Sequence, residues 1–349
     1  MRYDTRLRDA LGIDKPILLA PMAGAAGVDL AVAVAKAGGL GSLPTAVLTP
    51  AQAEEQIKAF RAAIDAPVNV NFFCHTPPAP DPEREARWRA RLAPFATEFG
   101  VDLPPPAAGA RAPFDDEYCK LVERTKPAVV SFHFGLPSPG LVARVKAAGA
   151  FVLSSATIPE EARWLEANGC DAIIAQGAEA GGHRGMFLTD DISTQIGAMA
   201  LTPLVVDAVK IPVISAGAIA DARGVAAAFC LGASAVQIGT AFLTSPESMI
   251  SAYHREVLGR GELSALTNVF TGRPARGIYN RIMREVGPMT SDAPEFPGAT
   301  TALTPLRAKA PHDFGSLWSG QAAALSKPEP AAQKLERIWR ETGALLDSF

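Results

Sequence analysis

The chain has 349 residues, with 33 Lys and Arg against 36 Asp and Glu, a net charge of −3 and a pI near 6.0. That balance, without any run of like charges, excludes an electrostatic case for nucleic acid and leaves a small molecule as the expected partner. Four scattered cysteines (Cys74, Cys119, Cys170, Cys230) form no CxxC pair, the opening MRYDTRLRDALGID lacks an apolar signal core, and no apolar run reaches membrane-spanning length, so a cytoplasmic protein with reduced thiols is expected.

Short apolar runs bounded by Gly, Pro and Asn recur, separated by longer helical patterns rich in Ala, Glu and Arg. This alternation predicts parallel βα units. The first run, 16–20, ends in Pro21-Met22-Ala23-Gly24 and leads into a helix over 28–37 stopped by Gly38-Gly39. Residues 40–43 form a weak second strand, followed by a helix capped by Thr49 with Pro50 at its first position. The third strand, 67–73, alternates apolar and polar residues and puts Asn69 and Asn71 on one face. The pattern then lapses through CHTPPAPDPERE, a charged helix to about Phe99 and the Pro/Ala-rich VDLPPPAAGARAP, so 74–113 reads as an insertion covering the site.

Further strands are predicted at 128–134, 151–155, 172–175, 212–216 and 235–238, interleaved with helices over 115–124, 141–148, 159–167 and 222–231, the last capped by Asp221. Eight βα units by about Arg260 are what a closed barrel needs, so the expected fold is α/β, a (β/α)8 TIM barrel over 1–260 with the insertion after strand three. Residues 261–349 read as a C-terminal helical extension packed on the barrel, ending in an amphipathic helix from about 331 to 346.

The chemistry gathers at strand ends. In DAIIAQGAEAGGHRG, residues 171–185, an apolar run breaks into Gln176 and a small-residue loop holding Gly181, Gly182 and His183. Glycine backbone can approach a flat ligand closely, and an imidazole beside it suits a proton acceptor near neutral pH. The alternative is an ordinary turn with a hydrogen-bonded His. The tips SAGAIAD and QIGTAFL, with Gly217, Ala218, Gln237, Ile238, Gly239 and Thr240, offer backbone N–H groups where barrels hold phosphate, or only make tight turns.

The amides of Asn71 and Gln176 suit a heterocycle edge carrying N–H and C=O, or a polar network inside the barrel. His133 and His75 are candidate pocket residues with structural alternatives, and Glu179 either orients His183 or faces water. No GxGxxG follows the first strand, and GxxxxGK[ST], GxSxG and HEXXH are missing, which argues against dinucleotide-fold, P-loop, hydrolase and zinc chemistry; no metal is expected.

Taken together, Pro16-Ile-Leu-Leu-Ala-Pro-Met-Ala-Gly24, Asn69-Val-Asn-Phe-Phe-Cys-His75, Gln176-Gly-Ala-Glu-Ala-Gly-Gly-His-Arg-Gly185, Pro212-Val-Ile-Ser-Ala-Gly217 and Gln237-Ile-Gly-Thr240 resemble the nitronate monooxygenases, formerly called 2-nitropropane dioxygenases. The likeness runs to the C-terminal GRPARGIYNR and LWSGQ segments. It implies an FMN-binding TIM barrel that oxidises alkyl nitronates, and nitroalkanes after proton abstraction, with O2 to a carbonyl compound and nitrite. By position it implies His183 as catalytic base and Met22, Asn71, Gln176, Gly181 and Gly182 around the isoalloxazine. Gly217, Ala218, Gln237, Ile238, Gly239 and Thr240 fall on the phosphate and ribityl side, and Ser319 and Gln321 look like further FMN contacts.

Ala218 departs from the family's common glycine, which keeps the backbone N–H and puts the φ there in question. The rivals are an FMN- and NAD(P)H-dependent enoyl reductase of the same barrel superfamily and a non-catalytic flavin-binding protein. A flavin-free phosphosugar lyase or isomerase lacks the Schiff-base Lys or carboxylate pair it needs.

Overall fold

The computed structural model describes residues 3–105 and 112–348; residues 106–111 of the insertion expected at 74–113 lie outside the described residues. Eight strands form one parallel sheet: β1 (Ile17–Leu19), β2 (Gly41–Pro44), β3 (Val68–Phe73), β4 (Val129–His133), β5 (Phe151–Ala156) and β6 (Ala172–Gln176), then, beyond a two-residue strand β7 (Gly182–His183) that pairs elsewhere, β8 (Val213–Ala216) and β9 (Ala235–Ile238). Their order is β1-β9-β8-β6-β5-β4-β3-β2. Leu40 closes the ring against β1, donating to the Ile17 carbonyl at 3.0 Å and accepting from Leu19 at 2.9 Å. The expected eight-stranded barrel is therefore present, weak second strand included.

Strand alternation decides what the barrel encloses. Val68, Val70 and Phe72 of β3 face the outer helices and join the large core there, while Asn69 and Asn71 point inward. Lower in the barrel the inward positions are apolar: Leu18, Leu40, Val129, Leu153, Ala172, Ile174, Ile214 and Ala235 pack together. A helix not anticipated from the sequence, Arg6–Leu11, plugs this end with Leu7 and Leu11. One step higher the same alternation presents Asn71, Ser131, Ser155, Gln176 and Gln237 instead, so the carboxyl end of the barrel is polar inside.

The outer layer departs from the simple βα order. The helix Ala331–Leu346 packs against Val28–Lys36 and Ala222–Cys230 and buries Ala331, Leu335 and Ile338 in the barrel's outer core, taking the place of the eighth barrel helix. After β9 the chain makes only the short helix Thr240–Leu243 before leaving the barrel. Between these ends lies a second core. Trp88, Leu92 and Phe95 on the helix Pro82–Phe99 pack with Phe270, Ile282, Met283, Leu303 and Phe314, so the insertion and the extension share one apolar cluster. The strands β10 (Ser264–Thr267) and β11 (Ala275–Ile278) form an antiparallel sheet with β7, pairing Ala275 with His183 and Arg276 with Gly182. Through this sheet the extension is tied to the GGH loop. Among the described residues no helix is long and apolar enough to cross a membrane.

Candidate active site

The tip of β6 is held by two guanidinium groups. Arg184, fully buried, donates to the carbonyls of Gln176 at 2.6 Å and Gly177 at 2.8 Å, and Arg276 donates to Ala178 at 2.9 Å. Burial lowers Arg184 to about 10, so it stays a cation at neutral pH. The Gln176 amide is used at both ends: Nε2 donates to the His183 carbonyl at 2.9 Å and Oε1 accepts from Gly185 at 2.7 Å. Expected at a ligand edge, this amide lines the cavity but serves first to fold the loop that carries His183.

The cavity at this end measures about 470 Å³. Met22, Asn71, Gln176, Gly181, Gly182, His183, Gly217, Ala218, Gln237, Gly239 and Thr240 all line it, as does His133. Four expected contacts lie outside that lining. Ile238 packs in the outer core, Ser319 is buried with its hydroxyl on the Gly320 carbonyl at 3.0 Å, Gln321 is exposed, and His75 is packed edge-on against Phe296 with ring centroids 4.8 Å apart. The described residues of 74–113 do not line the cavity either; the extension does, through Thr271, Arg307, Ser316 and Trp318. Of these only Trp318 falls in a segment the sequence singled out, LWSGQ; the others carry no signal, because an appended segment has no register relative to the barrel.

His183 stands in a ring of aromatic side chains, with Phe73 at 6.1 Å, Phe134 at 5.9 Å, Phe296 at 5.4 Å and Trp318 at 5.4 Å between ring centroids. Its Nε2 lies 2.9 Å from Thr271 Oγ1. The Thr271 hydroxyl also lies 3.4 Å from the Arg273 carbonyl, and when it donates there it accepts from Nε2–H, which leaves the basic lone pair of His183 on Nδ1. Phe134 reaches its position through a left-handed backbone, φ 71°, a conformation that costs an aromatic residue about 1–2 kcal/mol. The guanidinium of Arg273 lies 4.1 Å over the Phe134 ring, a cation–π contact that helps to hold it there.

His133 sits one layer below. Its Nε2 is 3.1 Å from the His183 carbonyl, which can only accept, so Nδ1 accepts from Ser155 Oγ at 3.0 Å. Burial first, then the charges of Arg273 and Arg184, pull His133 down to about 3 against the opposing His183 hydrogen bond. The neutral imidazole supports the loop through the His183 carbonyl and also lines the cavity. Glu179 does neither thing expected of it: its carboxylate caps the helix Ala198–Ala208, accepting from Ala198 N–H at 2.8 and 3.1 Å.

The far side of the cavity is backbone. Gly217 (φ 111°) and Ala218 (φ 57°) are both left-handed, which resolves the question at Ala218: it keeps the conformation a glycine would prefer and its N–H with it. Gly182 (φ 74°) has open space above it, whereas a Cβ on Gly181 would come 2.6 Å from Gly320 N. The buried Oε1 of Gln237 accepts no hydrogen bond among the described residues, so the contents of the cavity must supply a donor.

An eight-stranded parallel barrel with a glycine-floored cavity and an imidazole at the carboxyl ends of its strands defines the class as a TIM barrel with a ligand site at the usual catalytic end. The comparisons narrow the class. The Nitronate monooxygenase family model matches residues 4–341. A nitronate monooxygenase of Pseudomonas aeruginosa is 43% identical over 345 residues, 96% of this chain and 98% of that protein. Among solved structures, nitroalkane oxidase from Streptomyces ansochromogenes superposes with a TM-score of 0.91 at 36% identity, covering 98% of this chain and 99% of that one. FabK from Thermotoga maritima does so with a TM-score of 0.76 at 30% identity, covering 100% and 98%. The chain belongs to the nitronate monooxygenase family.

Proposed function

We propose that this protein oxidises alkyl nitronates, and nitroalkanes once His183 has removed the α-proton, with O2 to a carbonyl compound and nitrite, using FMN. The observation that carries this reading is the His183 imidazole, with Nε2 on Thr271, placed at the cavity wall directly after two glycines. The residues fit FMN. Gly181 and Gly182 give a flat bed, Gln237 Oε1 lacks a donor, and the left-handed pair Gly217-Ala218 offers backbone N–H groups without Lys or Arg. Met22, Asn71, Gly181 and Gly182 would hold the ring; Gly217, Ala218, Gln237, Gly239 and Thr240 would hold the ribityl phosphate.

When bound, FMN supplies the electron acceptance and the O2 chemistry. The chain supplies the rest. His183 takes the α-proton of a neutral nitroalkane, for which an imidazole has the right basicity near pH 7. Thr271 fixes which nitrogen does so. The four rings around His183 exclude water from the anion that forms, and Arg307 at the cavity wall brings positive charge to the same end.

The test is the visible absorbance of the purified protein, followed by nitrite release from propyl nitronate with and without O2. A flavin spectrum and O2-dependent nitrite are expected; a colourless protein, or a yellow one that leaves the nitronate untouched, would overturn the reading. The reductase rival shares the barrel and the flavin. Anaerobic mixing with NADH or NADPH separates the two, since rapid bleaching of the flavin belongs to the reductase and an indifferent flavin to the monooxygenase.

A further inference from the structure

Lys334 lies in the first turn of the final helix, Ala331–Leu346, and is fully buried. Its Nζ donates to the carbonyl of Ala241 and, at 2.8 Å, to Thr244 Oγ1, and it stands 5.9 Å from the centre of the Phe242 ring. None of these partners carries a full negative charge, and among the described residues no carboxylate lies within ion-pair distance of it.

The charges nearby are engaged elsewhere. Glu329 accepts from Arg337 Nε at 2.9 Å, Glu247 accepts from the Ala331 N–H at 3.1 Å, and Arg255 donates to the carbonyls of Leu243, Ser245 and Ser248. Burial pulls Lys334 down to about 8; Glu329 and Glu247 oppose this, while Arg337 and Arg255 add to it. The amine is still mainly a cation at pH 7. A cation taken out of water and left without an anion is costly, and a counter-ion held inside the protein would offset that cost.

Ala241, whose carbonyl Lys334 holds, lines the cavity beside Gly239 and Thr240. The wall assigned to the phosphate, Gly217, Ala218, Gln237, Gly239 and Thr240, carries no charged side chain. A phosphate monoester is nearly dianionic at pH 7. An unpaired cation and an uncharged seat for an anion therefore meet at one residue.

We propose that Lys334 is the buried counter-charge of the cofactor phosphate, a positioning residue that acts from behind Ala241 without touching the phosphate. The proposal rests on the FMN reading. It makes the final helix, which reads in the sequence as an appendage, part of the cofactor site.

The test is fluorescence titration of the full chain, stripped of flavin, with FMN and with riboflavin, which has the same ring and no phosphate. The ratio of the two affinities reads the phosphate alone. Lys334→Met, an unbranched apolar replacement, should lower that ratio by about 10-fold or more at pH 7 and change riboflavin affinity little. Lys334→Gln keeps a donor for Ala241 but no charge; it should lower the ratio likewise, and it serves should Lys334→Met not fold. In the wild type the ratio should fall as the pH rises from 7 to 10, because deprotonation of Lys334 removes the charge, and both variants should give a flat profile. A wild-type ratio near one, equal losses of FMN and riboflavin in the variants, a wild-type ratio kept in Lys334→Gln, or one pH profile for all three proteins would overturn the proposal. Should the wild type bind neither flavin, the FMN reading falls by itself. The counter-charge is then judged with inorganic phosphate: protection against urea that is lost in Lys334→Met upholds it, and equal protection overturns it.

Discussion

Thr271 Oγ1 lies 2.9 Å from Nε2 of His183, and it reaches there from the C-terminal extension, outside the barrel that carries the histidine. Thr271→Val keeps the shape and removes the acceptor that selects the tautomer. We expect kcat/KM on a nitroalkane to fall by about 10-fold or more, with a much smaller loss on the preformed nitronate, measured by nitrite release. Equal losses on both would assign Thr271 a purely structural role.

The two glycines before His183 differ in what they tolerate. A Cβ at Gly181 would meet the backbone of Gly320 and Ser319 at 2.6 and 2.7 Å, so Gly181→Ala must push the extension away from the loop, at a cost of roughly 1–3 kcal/mol. At Gly182 nothing lies within 4 Å, and Gly182→Ala carries only the strain of a left-handed alanine, about 1–2 kcal/mol. Urea unfolding should rank the stabilities in that order. Fluorescence titration should show the opposite order for FMN affinity, because the Gly182→Ala methyl enters the open space proposed for the flavin while the Gly181→Ala methyl faces the extension.

His133 makes a pH prediction. Its folded value of about 3 lies below the ordinary 6.5, so beneath pH 6.5 the unfolded chain takes up a proton that the folded protein refuses. The stability tied to the neutral ring is complete above pH 6.5 and is lost as the pH falls towards 3, on the order of 3 kcal/mol by pH 4. His133→Gln should be less stable than the wild type at pH 7, and its urea midpoint should fall less steeply between pH 6.5 and 4. Parallel curves for the two proteins would contradict the assignment.

Much of the site is legible from alternation. Once β3 to β6 are placed, period two alone turns Asn71, Ser131, Ser155 and Gln176 inward, and the glycines mark where the backbone itself becomes the wall. The sequence does not reveal what comes from outside the barrel. β7 is two residues long and has no periodicity to read, yet its pairing with β11 brings Thr271 and Trp318 to His183. Nothing in the sequence marks Arg184 as buried, and the structure buries it because three of its nitrogens find acceptors on the loop and on Gln195. The final helix reads as an appendage, since chain order places it far from β9; packing puts it between Val28–Lys36 and Ala222–Cys230.

The account's central claim is that the His183 imidazole takes a proton from carbon. The most direct test is His183→Asn, assayed for nitrite from a nitroalkane and from the same compound supplied as its nitronate, with FMN content matched to the wild type. A preformed nitronate has no proton to remove, so the variant should lose roughly 100-fold or more on the nitroalkane while keeping much of its nitronate turnover. Equal loss on the two substrates at full FMN occupancy would contradict it.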